Sequence, residues 1–197
     1  MQVRKEWILW PLALGLILAG LTWWRLLWIE SSQDGPILAA AQRYGVHPAL
    51  VKAVVWRESR FDPLARGRKR EIGLMQLMPA TGQEWATAEK QLLFETHLLF
   101  DPEINTRAGA WYLARLLKRY PRADNPLPYA LADYNAGRAN VLRWARELAA
   151  TNSASFVRQI TYPSTRAYIQ AVTNRFGRYA RTFPPRPTAS ASPSARP

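Results

Sequence analysis

Hydrophobic residues in this chain recur at three- and four-residue intervals instead of alternating, which is the signature of amphipathic helices. Between Leu50 and Ser59, the residues Val51, Val54, Val55 and Glu58 fall at i, i+3, i+4 and i+7. A carboxylate therefore shares the stripe that should face the core. After Asp101-Pro102, the run INTRAGAWYLARLLKRY keeps Gly109, Tyr112, Leu113, Leu116 and Leu117 on one face, and Pro121 ends it. Punctuation marks the other helices: Pro36 to Gly45, His47-Pro48 to the Phe61-Asp62-Pro63 stop, Pro79 onward, Pro126 or Pro128 to Gly137, Arg138 to Leu148, and Thr165 to Tyr179. Residues 87–99 keep neither period, and no stretch alternates as a strand. The expectation is an all-α chain with one domain of several short helices.

Both ends depart from this pattern. Arg4 and Lys5 precede an uncharged stretch from Trp7 to Trp24, and LLWI resumes after Arg25. Its length suits a bilayer core of roughly 30 Å. The preceding basic residues predict a cytoplasmic N-terminus, with everything after Ile29 outside. A cleaved signal peptide is the competing reading; the apolar stretch is long for one, and no small-x-small site precedes the tryptophans. The expected organisation is a transmembrane signal-anchor helix over residues 1–29, a linker over 30–35, a catalytic domain over 36–183, and a disordered Pro/Ser/Ala-rich tail over 184–197.

Composition narrows the chemistry. Lys and Arg number 27 against 14 Asp and Glu, a formal charge of +13, which points to a partner carrying negative charge. The chain has no cysteine, so disulfides, thiolate metal sites and cysteine nucleophiles are excluded. The two histidines, His47 and His97, lie fifty residues apart without metal-ligand spacing, and no metal or cofactor is expected. No basic helix interleaved with aromatics suggests a nucleic-acid binder. Arg66, Arg68, Lys69 and Arg70 lie in one loop, a solvated face by default, or a steering device if the substrate is acidic.

Glu58 carries the strongest chemical signal. Partial burial and the negative end of a helix both disfavour its charged form, so its proton should be held more tightly than in a free side chain. Such a group serves as a general acid. Judged by type alone, Leu74, Met75, Leu77 and Tyr134 are packing residues, while Gln76 offers an amide donor and acceptor in a short turn.

Taken together, VVWRESRFDP, GLMQLMPAT, DPEINTRAGAWYL and ALADYNAG resemble, in order and spacing, the motifs of the soluble lytic transglycosylase domain, a relative in fold of goose-type lysozyme. The resemblance runs from about Ile37 to Tyr179. It implies a lysozyme-like helical domain acting on peptidoglycan strands between N-acetylmuramic acid and N-acetylglucosamine, with no cofactor. It matches Glu58 to the family's single acid and base and Ser59 to a residue holding substrate near it. Met75 and Gln76 match cleft-lining positions, Tyr134 a tyrosine whose hydroxyl points at the acid, and Asn135 its structural neighbour. The segment RQITYPSTRAYI departs from the pattern at Arg158, Gln159, Thr161 and Ser164, while Thr165, Arg166 and Tyr168 fit; Asp133 stands where alanine is common.

The implied reaction is non-hydrolytic and leaves a 1,6-anhydromuramoyl end. An export location on the extracytoplasmic side of the bacterial inner membrane goes with it, without indicating which wall-building or secretion machinery the enzyme serves. One rival is a lysozyme-like hydrolase, which needs a second carboxylate for water; Glu71 and Asp62 are the candidates. Another is an inactive glycan-binding module.

Overall fold

The computed structural model describes the backbone of residues 6–183 and side chains from Leu14 to Phe183. The tail expected over 184–197 lies outside the described residues. Among those described, the chain is helical with no strand: α1 (Glu6–Ser31), α2 (Asp34–Tyr44), α3 (Pro48–Ser59), α4 (Pro79–Ala88), α5 (Pro102–Arg119), α6 (Pro126–Ala136), α7 (Arg138–Trp144), α8 (Ser153–Gln159) and α9 (Pro163–Thr182). Short 3₁₀ turns span Thr96–Phe100 and Glu147–Ala150.

Local chemistry sets most of these boundaries. Proline occupies the first turn of α3, α4, α5, α6 and α9, where a missing N–H costs nothing. Asp101 accepts from the Glu103 and Ile104 amides at the start of α5, and His47 accepts from Ala49 at the start of α3. Gly45 closes α2 with φ 65°. The expected Arg138–Leu148 helix stops at Trp144, because its buried indole donates to Thr161 Oγ1 and Ala145 leaves helical geometry with ψ 64°. Helix α8, which the apolar pattern does not announce, is capped by Asn152 accepting from Ser155.

The core is built on α3, which packs against α2 and α9, while α5 packs against α2, α4 and α6. Val51, Ala53, Val54 and Val55 are fully buried, as are Ile37, Leu113, Leu131, Phe156 and Val172 from the surrounding helices. Lys52 is also buried; its ammonium pairs with Asp34 at 2.5 Å and lies 4.4 Å from the Phe183 ring centre, so its charge is not left alone.

From Leu14 onward helix α1 leaves Leu16, Trp23, Trp24 and Trp28 exposed. Among the described residues no helix is long and apolar enough to cross a membrane; part of the expected span, residues 7–13, lies outside the described side chains. The stretch 30–35, expected as a linker, is ordered: α1 continues through Ser31, a two-residue turn follows, and α2 begins at Asp34. Glu30 holds that junction by accepting hydrogen bonds from Arg175 and from the Tyr179 hydroxyl of α9.

Candidate active site

Helix α3 delivers Glu58 one turn beyond its buried valines, to the rim of a cleft. The helix ends abruptly there, with Arg60 and Phe61 both in the left-handed region, at φ 55° and 67°. Such backbone is unfavourable for bulky residues and is held here by burial of Phe61 and by stacking of the Arg60 and Arg175 guanidiniums on Trp56, at 3.8 and 3.9 Å. Glu58 Oε1 accepts a 2.6 Å hydrogen bond from the Tyr168 hydroxyl of α9. Burial pushes the Glu58 carboxyl up to about 7; the Tyr168 hydrogen bond and the Arg57 charge pull the other way, and the Glu71 charge adds to the rise. The phenols of Tyr168 and Tyr134 are themselves held well above their ordinary range by burial and by the carboxylate's charge.

Opposite α3 stands the Gly73–Gln76 turn, pinned at its base by Ile72 and Leu77, each donating to the other's carbonyl at 3.0 Å. Gly73 has φ 74°, and a Cβ there would lie 2.4 Å from the Leu99 carbonyl oxygen, so only glycine fits. Asn105, fully buried on α5, ties the turn down. Its Nδ2 donates to the Ile72 and Leu99 carbonyls at 2.9 and 2.7 Å, and its Oδ1 accepts from the Met75 amide at 2.8 Å. Gly109 makes room for the Met75 thioether; a Cβ at that position would fall 2.2 Å from its sulfur.

Between these walls lies a cleft of about 400 Å³, lined by Glu58, Glu71, Gln76, Tyr134 and Asn135, with Arg68 and Lys69 at one lip. The structure thus brings Glu58, Gln76, Tyr134 and Asn135 together, along with Glu71, the rival reading's candidate. It places others differently. Tyr134 does not bond Glu58: its hydroxyl donates to the Met75 carbonyl at 2.7 Å, and Tyr168 takes the place on the acid. Met75 does not line the cleft, because it is fully buried against Gly109 and contributes its backbone only. Ser59 is absent from the lining, and its hydroxyl donates back to the Val55 carbonyl at 3.2 Å, as helix-end serines do. Asp62 is exposed outside the cleft, capping the Leu64 amide.

Gln76 sits at φ 47° with Nε2 donating to the Ala65 and Gly73 carbonyls, which leaves its carbonyl oxygen as the acceptor available to a ligand. Asn135 Oδ1 accepts from Thr165 Oγ1 at 2.9 Å, and Arg166 donates to the Ile160 carbonyl at 3.0 Å. The Thr165-Arg166-x-Tyr168 segment thereby organises this side of the site, with Tyr168 on the acid. That segment was the only sign of Tyr168 in the sequence, and Asn105 gave none beyond its place in DPEINTRAGAWYL. Asp133 also lines the cleft but is buried in its wall, with its carboxylate accepting from Arg119 at 2.7 Å and Tyr120 at 2.6 Å, so its charge is spoken for. No cluster of three or more His, Asp or Glu side chains able to hold a metal ion occurs among the described residues.

The profile described as "Transglycosylase SLT domain" matches residues 35–157. The chain is 37% identical over 113 residues to membrane-bound lytic murein transglycosylase F of Desulfosudis oleivorans, covering 56% of this chain and 23% of that protein. It is 36% identical over 115 residues to membrane-bound lytic murein transglycosylase C of Shigella sonnei, covering 55% and 32% respectively. Among solved structures, an inactive mutant of the lytic transglycosylase Slt from Pseudomonas aeruginosa superposes with TM-score 0.69 at 29% identity, covering 77% of this chain and 24% of that one. The chain therefore matches only about a quarter to a third of the length of these curated relatives.

Proposed function

Because the chain belongs to the transglycosylase SLT domain family, we propose that it is a peptidoglycan lytic transglycosylase in which Glu58 serves in turn as acid and base. The observation that carries the reading is a half-buried carboxyl on the wall of the cleft, bonded to Tyr168 and pushed up to about 7 by its surroundings. A group of that affinity is protonated for a large fraction of the time at neutral pH and is a competent base once ionised.

In the first step Glu58 gives its proton to the oxygen bridging N-acetylmuramic acid and N-acetylglucosamine, and the bond to C1 breaks. The sugar's own 2-acetamido group meets the positive charge at C1, as in substrate-assisted glycosidases. In the second step ionised Glu58 takes the proton of the 6-hydroxyl while that oxygen bonds to C1. The product is a 1,6-anhydro end, Glu58 recovers its proton, and no water is consumed. Tyr168 keeps the carboxylate aimed, Tyr134 holds the turn through the Met75 carbonyl, and the Gln76 carbonyl accepts from a sugar N–H or hydroxyl. Digestion of purified walls followed by mass spectrometry tests this: the expected fragments are lighter by one water than hydrolysed ones, and Glu58→Gln abolishes their release. Fragments with hydrolysed ends refute it.

A specific observation favours a second reading, the lysozyme-like hydrolase. Glu71 lines the same cleft as Glu58, although one of its oxygens is held by the Lys69 amide at 2.7 Å. Hydrolysed ends that disappear in Glu71→Gln would establish it.

We further propose that the domain lies on the extracytoplasmic face of the inner membrane, with α1 as its anchor. This is supported by the uncharged Trp7–Trp24 stretch, by the exposed apolar side chains around α1, and by the membrane-bound relatives. Extraction from membranes by detergent and not by alkaline carbonate is the expected behaviour. Release by carbonate contradicts it.

A further inference from the structure

The basic turn beside the cleft is built more firmly than a solvated loop requires. Arg66 pairs with Ile72 in an antiparallel bridge, the Gly67 amide donates to the Glu71 carbonyl at 2.9 Å, and the Arg70 amide donates to Gly67 at 3.3 Å. Glu71 folds its carboxylate back onto the Lys69 amide. Arg70 takes the left-handed conformation, φ 72°, that this closure demands.

The turn separates two hollows and offers cations to both. Arg68 and Lys69 line the catalytic cleft; Arg66 and Arg70 line a second groove of about 430 Å³ on the other side, floored by Ile72, Pro79 and Phe100. The Arg66 guanidinium is held 4.3 Å from the Phe100 ring centre, so its fork is already placed. Thr96 and His97 form the far rim, with His97 paired to Glu95 at 3.1 Å. Gly67 and Glu71 belong to the walls of both hollows. A Cβ on Gly67 would fall 2.2 Å from Glu71 Oε2 and 2.9 Å from Gln76 Oε1, so the Glu71 and Gln76 side chains close directly against the backbone of the turn there.

We propose that this second groove is a subsite for the acidic peptide carried by the glycan: a strand seated in the cleft passes its peptide across the wall that the two hollows share, and Arg66 and Arg70 bind the peptide carboxylates. The inference rests on the peptidoglycan reading given above. The Arg66 guanidinium, fixed on Phe100, and Arg70 on the same groove wall offer carboxylates charge-assisted hydrogen bonds. A scattered surface arginine has no such preorganisation, and its ion pairs are worth little. The groove also gives a use to cations that the proton transfers at Glu58 leave idle.

The test compares the parent with the Arg66→Gln/Arg70→Gln double variant on three glycans. These are peptide-bearing strands, strands stripped by an amidase so that only the lactyl carboxylate remains, and stripped strands whose lactyl carboxylate has been reduced to the alcohol. Binding of a soluble peptide-bearing muropeptide to Glu58→Gln protein, with and without the two arginine changes, is measured alongside. The double variant should lose roughly tenfold in kcat/KM on peptide-bearing strands and match the parent on the other two, with muropeptide binding weakened to the same degree. Equal losses on stripped strands would assign the cations to the lactyl group and overturn the subsite; no loss on any glycan, with unchanged binding, would do so too. If the parent cut none of the glycans yet bound the muropeptide through Arg66 and Arg70, the groove would stand and the reaction would fall.

Discussion

Glu58 concentrates the chemistry of this protein in one titration. Burial holds its carboxyl near 7 against about 4.5 for a free side chain, so the acid form persists to neutrality, and kcat/KM should fall on the alkaline side of about pH 7. Because the Glu71 charge contributes to the rise, Glu71→Gln should move that limb to lower pH; an unmoved limb would show that the two carboxylates do not sense each other. Tyr168→Phe removes a hydrogen bond that favours the ionised form, so the limb should move to higher pH while kcat drops from loss of aim. Stability carries the same signature. The folded state binds this proton more tightly than the unfolded chain, so the contribution is complete below about pH 4.5 and is lost as pH rises through about 7. Glu58→Gln should therefore raise the melting temperature at pH 8, by the equivalent of about 1–3 kcal/mol, with a smaller gain at pH 5. Circular dichroism melts at the two pH values decide.

The turn between Gly73 and Gln76 has its shape imposed by α5. Asn105 satisfies two carbonyls and one amide with a single buried side chain, so Asn105→Ala leaves three backbone groups without partners and should cost about 3 kcal/mol or more in denaturant unfolding. Gly109→Ala should be damaging for a steric reason: its Cβ meets Met75 at contact-violating distances and displaces the carbonyl that receives Tyr134. Activity lost with only a modest change in melting temperature would locate the damage in the turn. These elements also show what a local pattern can and cannot reveal. The stripe of Val51, Val54, Val55 and Glu58 is set within one helix, and was legible because helical period alone defines it. Met75 reads by type as a packing residue, and its side chain is fully buried, whereas the resemblance matches it to a cleft position. Asn105 looks like any polar residue of an amphipathic helix until a turn thirty positions away is laid against it. Tyr168 reaches Glu58 across 110 positions of sequence, a separation over which no periodicity is informative. The fused reading of 138–148 failed for a similar reason, since the stop at Trp144 depends on Thr161.

For the molecule as a whole, helical composition and the order of the helices other than α8 could be read in advance, whereas the attachment between α1 and the helical body could not. A polar run of six residues suggested slack; instead Glu30 bonds Arg175 and Tyr179 on the last helix. Glu30→Ala should loosen this junction and expose residues 31–34 to proteolysis, while cleavage by a purified preparation on soluble strands stays at parental rate. An unchanged digestion pattern would mean that Ile29 and the turn suffice to hold it. If α1 is embedded as proposed, the short braced join has a mechanical outcome. The cutting head has almost no leash: it cannot search the depth of the wall, so only glycan brought down to the bilayer surface comes within its reach, and the angle at which strands arrive is fixed by the protein and not by chance.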